Sequence, residues 1–242
     1  MYQVISYQNS PFHSIFLNQT ISTQIIEYLI VIRTDINLQN HYNETPLQIF
    51  STQKTPNLQV LKFMVEKMAD INFRSTKPFP ISNFCSSDNI DFDIIKYLIE
   101  MKAELDHKKS YNNLNALQVV CKNQNSTVKV VQFLVEKNAF INISNIPTNP
   151  LFLSCKFNLD FQIIKYLIDQ KSDFNLGDNS SPILEILRAN NINLDTLKYL
   201  VQSKADLNLL NNFLLLFQLF VQGAFAKLKS SNSFWKINLT QT

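Results

Sequence analysis

The groups in this sequence that could carry chemistry are three cysteines, three histidines and scattered carboxylates. Cys85, Cys121 and Cys155 have no Cys-x-x-Cys partner and no adjacent histidine, so their spacing fits neither a metal centre nor a disulfide framework. Their even distribution predicts buried thiols in a reducing compartment. His13, His41 and His107 lie far apart, and none has a serine or cysteine at the spacing of a nucleophilic motif. Only two glycines occur, Gly177 and Gly223, where average usage would give about 17. A glycine-rich phosphate loop, which needs several close glycines to bring backbone against phosphate, is therefore excluded. The expectation is a non-catalytic protein with no metal, cofactor or small-molecule substrate. With 22 Lys and Arg against 19 Asp and Glu, the net charge of +3 is too balanced for a chain whose main work is gripping nucleic acid or anionic membrane.

The elements that would position any site come from a repeat. One segment recurs six times, beginning at Ile25, Val60, Ile94, Val130, Ile163 and Thr196, so the period runs from 33 to 36 residues. Within each copy, apolar residues fall at i, i+1, i+4 and i+5, as in Ile94, Ile95, Leu98 and Ile99, which makes one stripe along a helix. A second motif precedes it at nearly fixed distance: Ser10-Pro11, Thr45-Pro46, Phe79-Pro80, Asn115-Ala116, Asn149-Pro150 and Ser181-Pro182. A small polar residue followed by proline is an N-cap with proline at the first helical position, where its missing N–H is not needed. Each copy is thus expected to be helix, loop, helix and polar connection, in an all-α fold.

Thr45-Pro46-Leu47 with Ala69-Asp70-Ile71-Asn72, and Ser10-Pro11-Phe12-His13, resemble the ankyrin repeat. The resemblance covers residues 10–212 as six copies at about 10–44, 45–78, 79–114, 115–148, 149–180 and 181–212, with 1–9 as an N-terminal segment. It implies an ankyrin-type helix-turn-helix solenoid that binds a protein partner through its concave face. The sequence departs from the family at the glycine that normally ends the second helix, which is replaced by Arg33, Met68, Lys102, Asn138, Lys171 and Lys204. A non-glycine residue held there in the left-handed conformation costs roughly 1 kcal/mol.

Surface expectations follow from the same register. Lys62/Glu66, Lys96/Glu100 and Lys165/Asp169 are spaced for i, i+4 ion pairs on the second helices. The aromatic column Tyr28, Phe63, Tyr97, Phe133, Tyr166 and Tyr199 is expected in the core between repeats. The exposed side of the first helices and the connecting tips should line the concave face. There Lys122, Lys156 and Arg188 share one repeat position, and Lys108, Lys109, Tyr111, His41 and Tyr42 lie on connecting tips. These eight are the candidate partner-binding residues, and the cations among them favour an acidic partner. The alternatives are a binder of an acidic ligand or nucleic acid, and a regulatory fragment of a longer multidomain protein.

At the ends, residues 1–20 lack the basic and continuous apolar regions of a signal peptide, so an intracellular, cytoplasmic location is expected. The run FLLLFQLFVQGAFA at 213–226 is shorter than the roughly 20 apolar residues of a membrane span. It opens a degenerate seventh copy and tail over 213–242.

Overall fold

The structure, a computed structural model, describes residues 10–203 apart from 17–20, 74, 76, 107–113, 143–148, 158, 174–180 and 190–192. The seventh copy and Lys204 lie outside the described residues. Two compact units divide between Ile141 and Asn142. The first holds four helix pairs: α1 (Pro11–Ile15) with α2 (Thr23–Val31), α3 (Pro46–Phe50) with α4 (Leu58–Glu66), α5 (Pro80–Ser86) with α6 (Phe92–Glu100), and α7 (Ala116–Val120) with α8 (Val128–Glu136). The second holds α9 (Pro150–Lys156) with α10 (Phe161–Asp169), and α11 (Pro182–Arg188) with α12 (Leu194–Gln202). Among the described residues no strand occurs.

The first helices start where the caps predict. Thr45 and Asn115 form reciprocal capping boxes with Gln48 and Gln118, while Ser10, Asn149 and Ser181 each accept a backbone N–H of the first turn. Phe79 has no oxygen to offer and makes no such bond. Asn57, Asp91 and Asp160 cap α4, α6 and α10 in the same way. From the second copy on, the first three positions of the apolar stripe are buried, with Leu61, Met64, Ile94, Ile95, Leu98, Val131, Leu134, Ile163, Ile164 and Leu167 sealed from solvent, while in the first copy Ile25 is exposed and Leu29 half-buried. In the first unit a spine of rings adds to it, with centroids 5.6 Å apart for Phe12 and Phe16, 5.7 Å for Phe16 and Phe50, and 6.1 Å for Phe50 and Phe84. Cys85, Cys121 and Cys155 are free thiols inside this core, and burial pushes the Cys85 pKa well above the usual thiol range.

Two surface expectations are corrected. The aromatic column is not core: Phe63, Tyr97, Phe133, Tyr166 and Tyr199 are only half-buried, and Tyr28 is exposed. Its position, three residues after the start of the stripe, lies about 130° from the stripe's centre at 100° per residue. The rings therefore lie beside the core and are covered from outside by lysines. Lys62 Nζ sits 5.6 Å from the Tyr97 ring centre and Lys165 Nζ 5.7 Å from that of Tyr199, each reaching the next repeat. Of the three expected ion pairs, the one observed is Lys96–Glu100, at 3.9 Å. A long exposed ion pair gains little in water, whereas a lysine stem laid over a half-buried ring also covers apolar surface.

The missing glycines leave a clear geometric trace. Arg33, Met68, Lys102, Asn138 and Lys171 all adopt positive φ, between 62° and 70°. At each, two backbone bonds close the helix end: in α6, Lys102 N–H donates to Ile99 O and Ala103 N–H to Leu98 O, both at 2.9 Å. In the first, second and fourth copies the closing asparagine then reaches forward. Asn37 Nδ2 donates to Met68 O at 2.9 Å and Asn37 Oδ1 accepts from Asp70 N–H at 2.8 Å. Asn72 does the same with Lys102 O and Glu104 N–H, as does Asn142 in the second unit with Lys171 O and Asp173 N–H.

Two stability measurements follow. Leu98→Ala should lower the unfolding free energy by about 2–5 kcal/mol, since Leu98 is fully buried. Lys102→Gly should raise it by about 0.5–1 kcal/mol by removing the Cβ clash of the left-handed turn. Urea denaturation of the full chain reads both, and a destabilised Lys102→Gly chain would contradict the account of the turn.

Candidate functional site

The connecting tips bear partner-facing side chains only if the loops hold shape. The tip at residues 38–44 does so through Asn40, whose buried side chain accepts from Tyr42 N–H and Glu44 N–H, both at 2.9 Å. Asn40 Nδ2 donates to Glu44 Oε2 at 3.1 Å, and the backbone closes with Asn40 N–H to Glu44 O at 3.0 Å. The turn needs a left-handed residue at its corner, and Asn43 supplies it at φ 59°. Lys77, from the following tip, braces the outside: its Nζ is 3.5 Å from Glu44 Oε1 and 5.7 Å from the Tyr42 ring centre. His41 and Tyr42 are exposed on the finger so formed.

The base of the finger is fixed by His13. It is fully buried, with Nε2 3.0 Å from Glu44 O and Nδ1 2.7 Å from Ser10 Oγ. A carbonyl can only accept, so Nε2 carries the proton and Nδ1 accepts from the serine hydroxyl. Burial lowers the His13 pKa from 6.5, against the opposing pull of the Glu44 and Leu38 carbonyls and the Glu44 charge. In the second and fourth copies Gln48 and Gln118 take the histidine's place, and Gln48 Nε2 donates to Pro78 O at 3.1 Å.

The other candidates are placed differently. Lys122 stands in the turn after α7, while Lys156 and Arg188 close α9 and α11, where a cation favours the helix's carbonyl end. All three are exposed. Arg188 is bonded to Glu185 at 2.8 Å, so its charge is partly spent, and Lys156 Nζ lies 5.7 Å from the Phe152 ring centre. Lys122 belongs to the first unit and the other two to the second. Lys108, Lys109 and Tyr111 lie outside the described residues. In two pairs the expectation that the first helices expose a side is corrected: α3 is wholly buried, and α9 is buried except for Lys156. The others are less complete: Ser14 of α1 is exposed, and Asn83, Val119 and Glu185 are half-buried within α5, α7 and α11. Sequence reasoning missed Lys77, Asn40 and Glu44; the Asn-x-x-x-Glu spacing beside an asparagine turn residue was the available signal. Among the described residues no three His, Cys, Asp or Glu converge as a metal site, and no helix is long and apolar enough to cross a membrane.

Known proteins now place the chain. Residues 81–178 match the family model for ankyrin repeats in three copies, spanning the third to fifth helix pairs. That segment carries ankyrin repeats. Its fold is similar to that of the human ASB11 ankyrin repeat domain, with a TM-score of 0.67 and 17% identity over 82% of this chain and 86% of that one. It is also similar to that of an ankyrin repeat domain from Acinetobacter baumannii, with a TM-score of 0.65 and 19% identity over 81% of this chain and 98% of that one. No curated protein sequence matches the chain. Ankyrin repeats are in general protein-interaction modules without catalytic activity.

The buried histidine yields a pH prediction. The unfolded chain takes a proton on His13 near pH 6.5 while the folded chain resists it, so stability present above that pH falls as pH drops through 6.5 toward the folded value. Comparing the melting temperatures of wild type and His13→Gln between pH 8 and pH 5 should show a shallower acid loss in the variant, whose glutamine copies Gln48. Equal slopes would mean His13 titrates alike in both states.

Proposed function

We propose that this chain is an intracellular, non-catalytic binding protein built of six repeats over residues 10–212, flanked by segments 1–9 and 213–242. It holds a protein partner through its tips and the exposed ends of its first helices. The observation that carries this reading is the finger at 38–44. Its backbone is fixed by the Asn40 side chain before any partner arrives, so little loop-ordering entropy opposes binding. Tyr42, with few rotatable bonds and a polar end, is an anchor of the kind that dominates interface energetics. Lys122 and Lys156, with Lys108 and Lys109, favour an acidic surface on that partner. Such charges act chiefly on the association rate and on the rejection of basic surfaces.

The test is affinity capture with the full chain as bait, followed by measured affinities for whatever protein is retained. Tyr42→Ala should weaken that affinity by about tenfold or more, the loss expected of an interface anchor. Lys122→Glu with Lys156→Glu should slow association at about 0.1 M salt, where the Debye length is about 10 Å, and have less effect at high salt. Unchanged binding by both variants, with melting temperature preserved, would remove the finger and the cations from the interface.

A further inference from the structure

Four dipeptides place a hydroxyl residue before proline: Ser10-Pro11, Thr45-Pro46, Thr55-Pro56 and Ser181-Pro182. Three of them are helix starts, and the fold uses their hydroxyls. Thr45 and Ser181 are fully buried, and their oxygens accept Gln48 N–H at 3.3 Å and Leu184 N–H at 3.4 Å. Ser10 Oγ is held 2.7 Å from His13 Nδ1. Thr55 is different. It lies exposed in the loop from α3 to α4, and among the described residues no hydrogen bond engages it or its neighbours Lys54 and Pro56. The loop takes its shape from either side instead. Thr52 Oγ1 donates to Ile49 O at 2.8 Å, Gln53 Nε2 donates to Phe16 O at 2.7 Å, and Asn57 Oδ1 accepts Gln59 N–H at 2.8 Å to cap α4. Residues 54–56 are thus a free segment pinned at both ends. In the third and fourth copies the column of Thr55 holds Asn89 and Asn125, also exposed, so the stack does not need this hydroxyl.

We propose that Thr55 is the acceptor of a proline-directed protein kinase. Such an enzyme takes its acceptor in extended backbone, and a following proline biases Thr55 toward that conformation. Pro56 also has no N–H to be left unpaired when the residue after the acceptor enters an apolar pocket. Lifting residues 54–56 into a cleft breaks no hydrogen bond of the fold. In the reaction Thr55 Oγ1 attacks the γ-phosphorus of a nucleoside triphosphate, the bond to the β-phosphate oxygen breaks, the diphosphate leaves, and the hydroxyl proton passes to the kinase's catalytic carboxylate. The product carries about −1.5 to −2 charge at pH 7 beside the single cation of Lys54, which turns the local charge negative. Two residues before the Asn57 cap, that charge lies at the positive end of α4, so the fold tolerates it. The loop follows α3 and the 38–44 finger precedes it, so the mark stands at the other end of that helix, and the inference is independent of the partner face assigned to the tips.

The test incubates the folded full chain with ATP and a purified proline-directed kinase, beside synthetic peptides centred on each of the four hydroxyls, and maps phosphate by peptide mass spectrometry. Thr55 should be modified in both chain and peptide. Ser10, Thr45 and Ser181 should react in their peptides but at least about tenfold more slowly than Thr55 in the chain, because freeing them requires local opening of a helix start. Thr55→Ala should remove the mark from this loop, Pro56→Ala should suppress it, and the phosphorylated chain should keep its circular dichroism and melting temperature. A folded chain that takes no phosphate at Thr55, whether or not its peptide reacts, would overturn the proposal. Equal reaction at the three cap hydroxyls, modification that survives Pro56→Ala, or unfolding of the phosphorylated chain would overturn it equally.

Discussion

Three joints between the described repeats depend on one small contact, the capture of a left-handed carbonyl by an asparagine from the preceding copy. The turn that ends each second helix must bend sharply to start the connecting tip. It does so by placing Arg33, Met68, Lys102, Asn138 and Lys171 at positive φ. The strain would loosen a free helix end. At Met68, Lys102 and Lys171 the turn's carbonyl receives the amide of Asn37, Asn72 and Asn142, and the backbone N–H two residues on returns a bond to the same side chain. Two bonds from one side chain fix the neighbouring turn in position and direction, which sets the register of the helices behind it and of the tips in front.

Much of this was legible in the residues alone. Proline after a small polar cap marks the helix starts, and the paired apolar positions mark the buried face, because both act through contacts within a turn or two of the chain. The absence of glycine pointed directly to the strained turns. What could not be read was the exterior. Whether Lys62 bonds Glu66 on its own helix or reaches the Tyr97 ring of the next copy depends on where that copy sits, and only the stacked structure places it. The burial of α3 likewise follows from what surrounds a five-residue helix. The finger was legible only in part: His41 and Tyr42 follow from their place in the loop, whereas the brace from Lys77 needs the next tip alongside.

The lysines show how one residue type serves several ends here. Lys129 Nζ lies 3.8 Å from the Phe92 ring centre, and that ring meets Phe133 edge-on at 5.2 Å, so a cation and two aromatics from successive copies form one cluster. Phe161 and Tyr199 repeat the ring contact in the second unit at 5.9 Å, with the Tyr199 hydroxyl bonded to Asp169, a bond that holds the phenol's pKa above its usual value. Lys77 instead supports a loop, and Lys122 stands in an exposed turn. Counting lysines would have treated these as one basic surface, although much of that charge lies over rings on the outer helices.

One copy breaks the asparagine pattern. At the end of the third repeat the residue is Asp106, whose carboxylate accepts Phe140 N–H at 3.3 Å through both oxygens and Asn115 Nδ2 at 2.7 Å. A carboxylate has no N–H to offer the carbonyl of the turn it faces, so this joint keeps the accepting half of the contact and forgoes the donating half. Other contacts carry the joint: α5 packs along α7, Asn123 Nδ2 donates to Cys85 O at 3.1 Å and to Ser87 O at 2.8 Å, and Phe92 meets Phe133 across it, so what the carboxylate forgoes in one bond the neighbouring helices supply in packing.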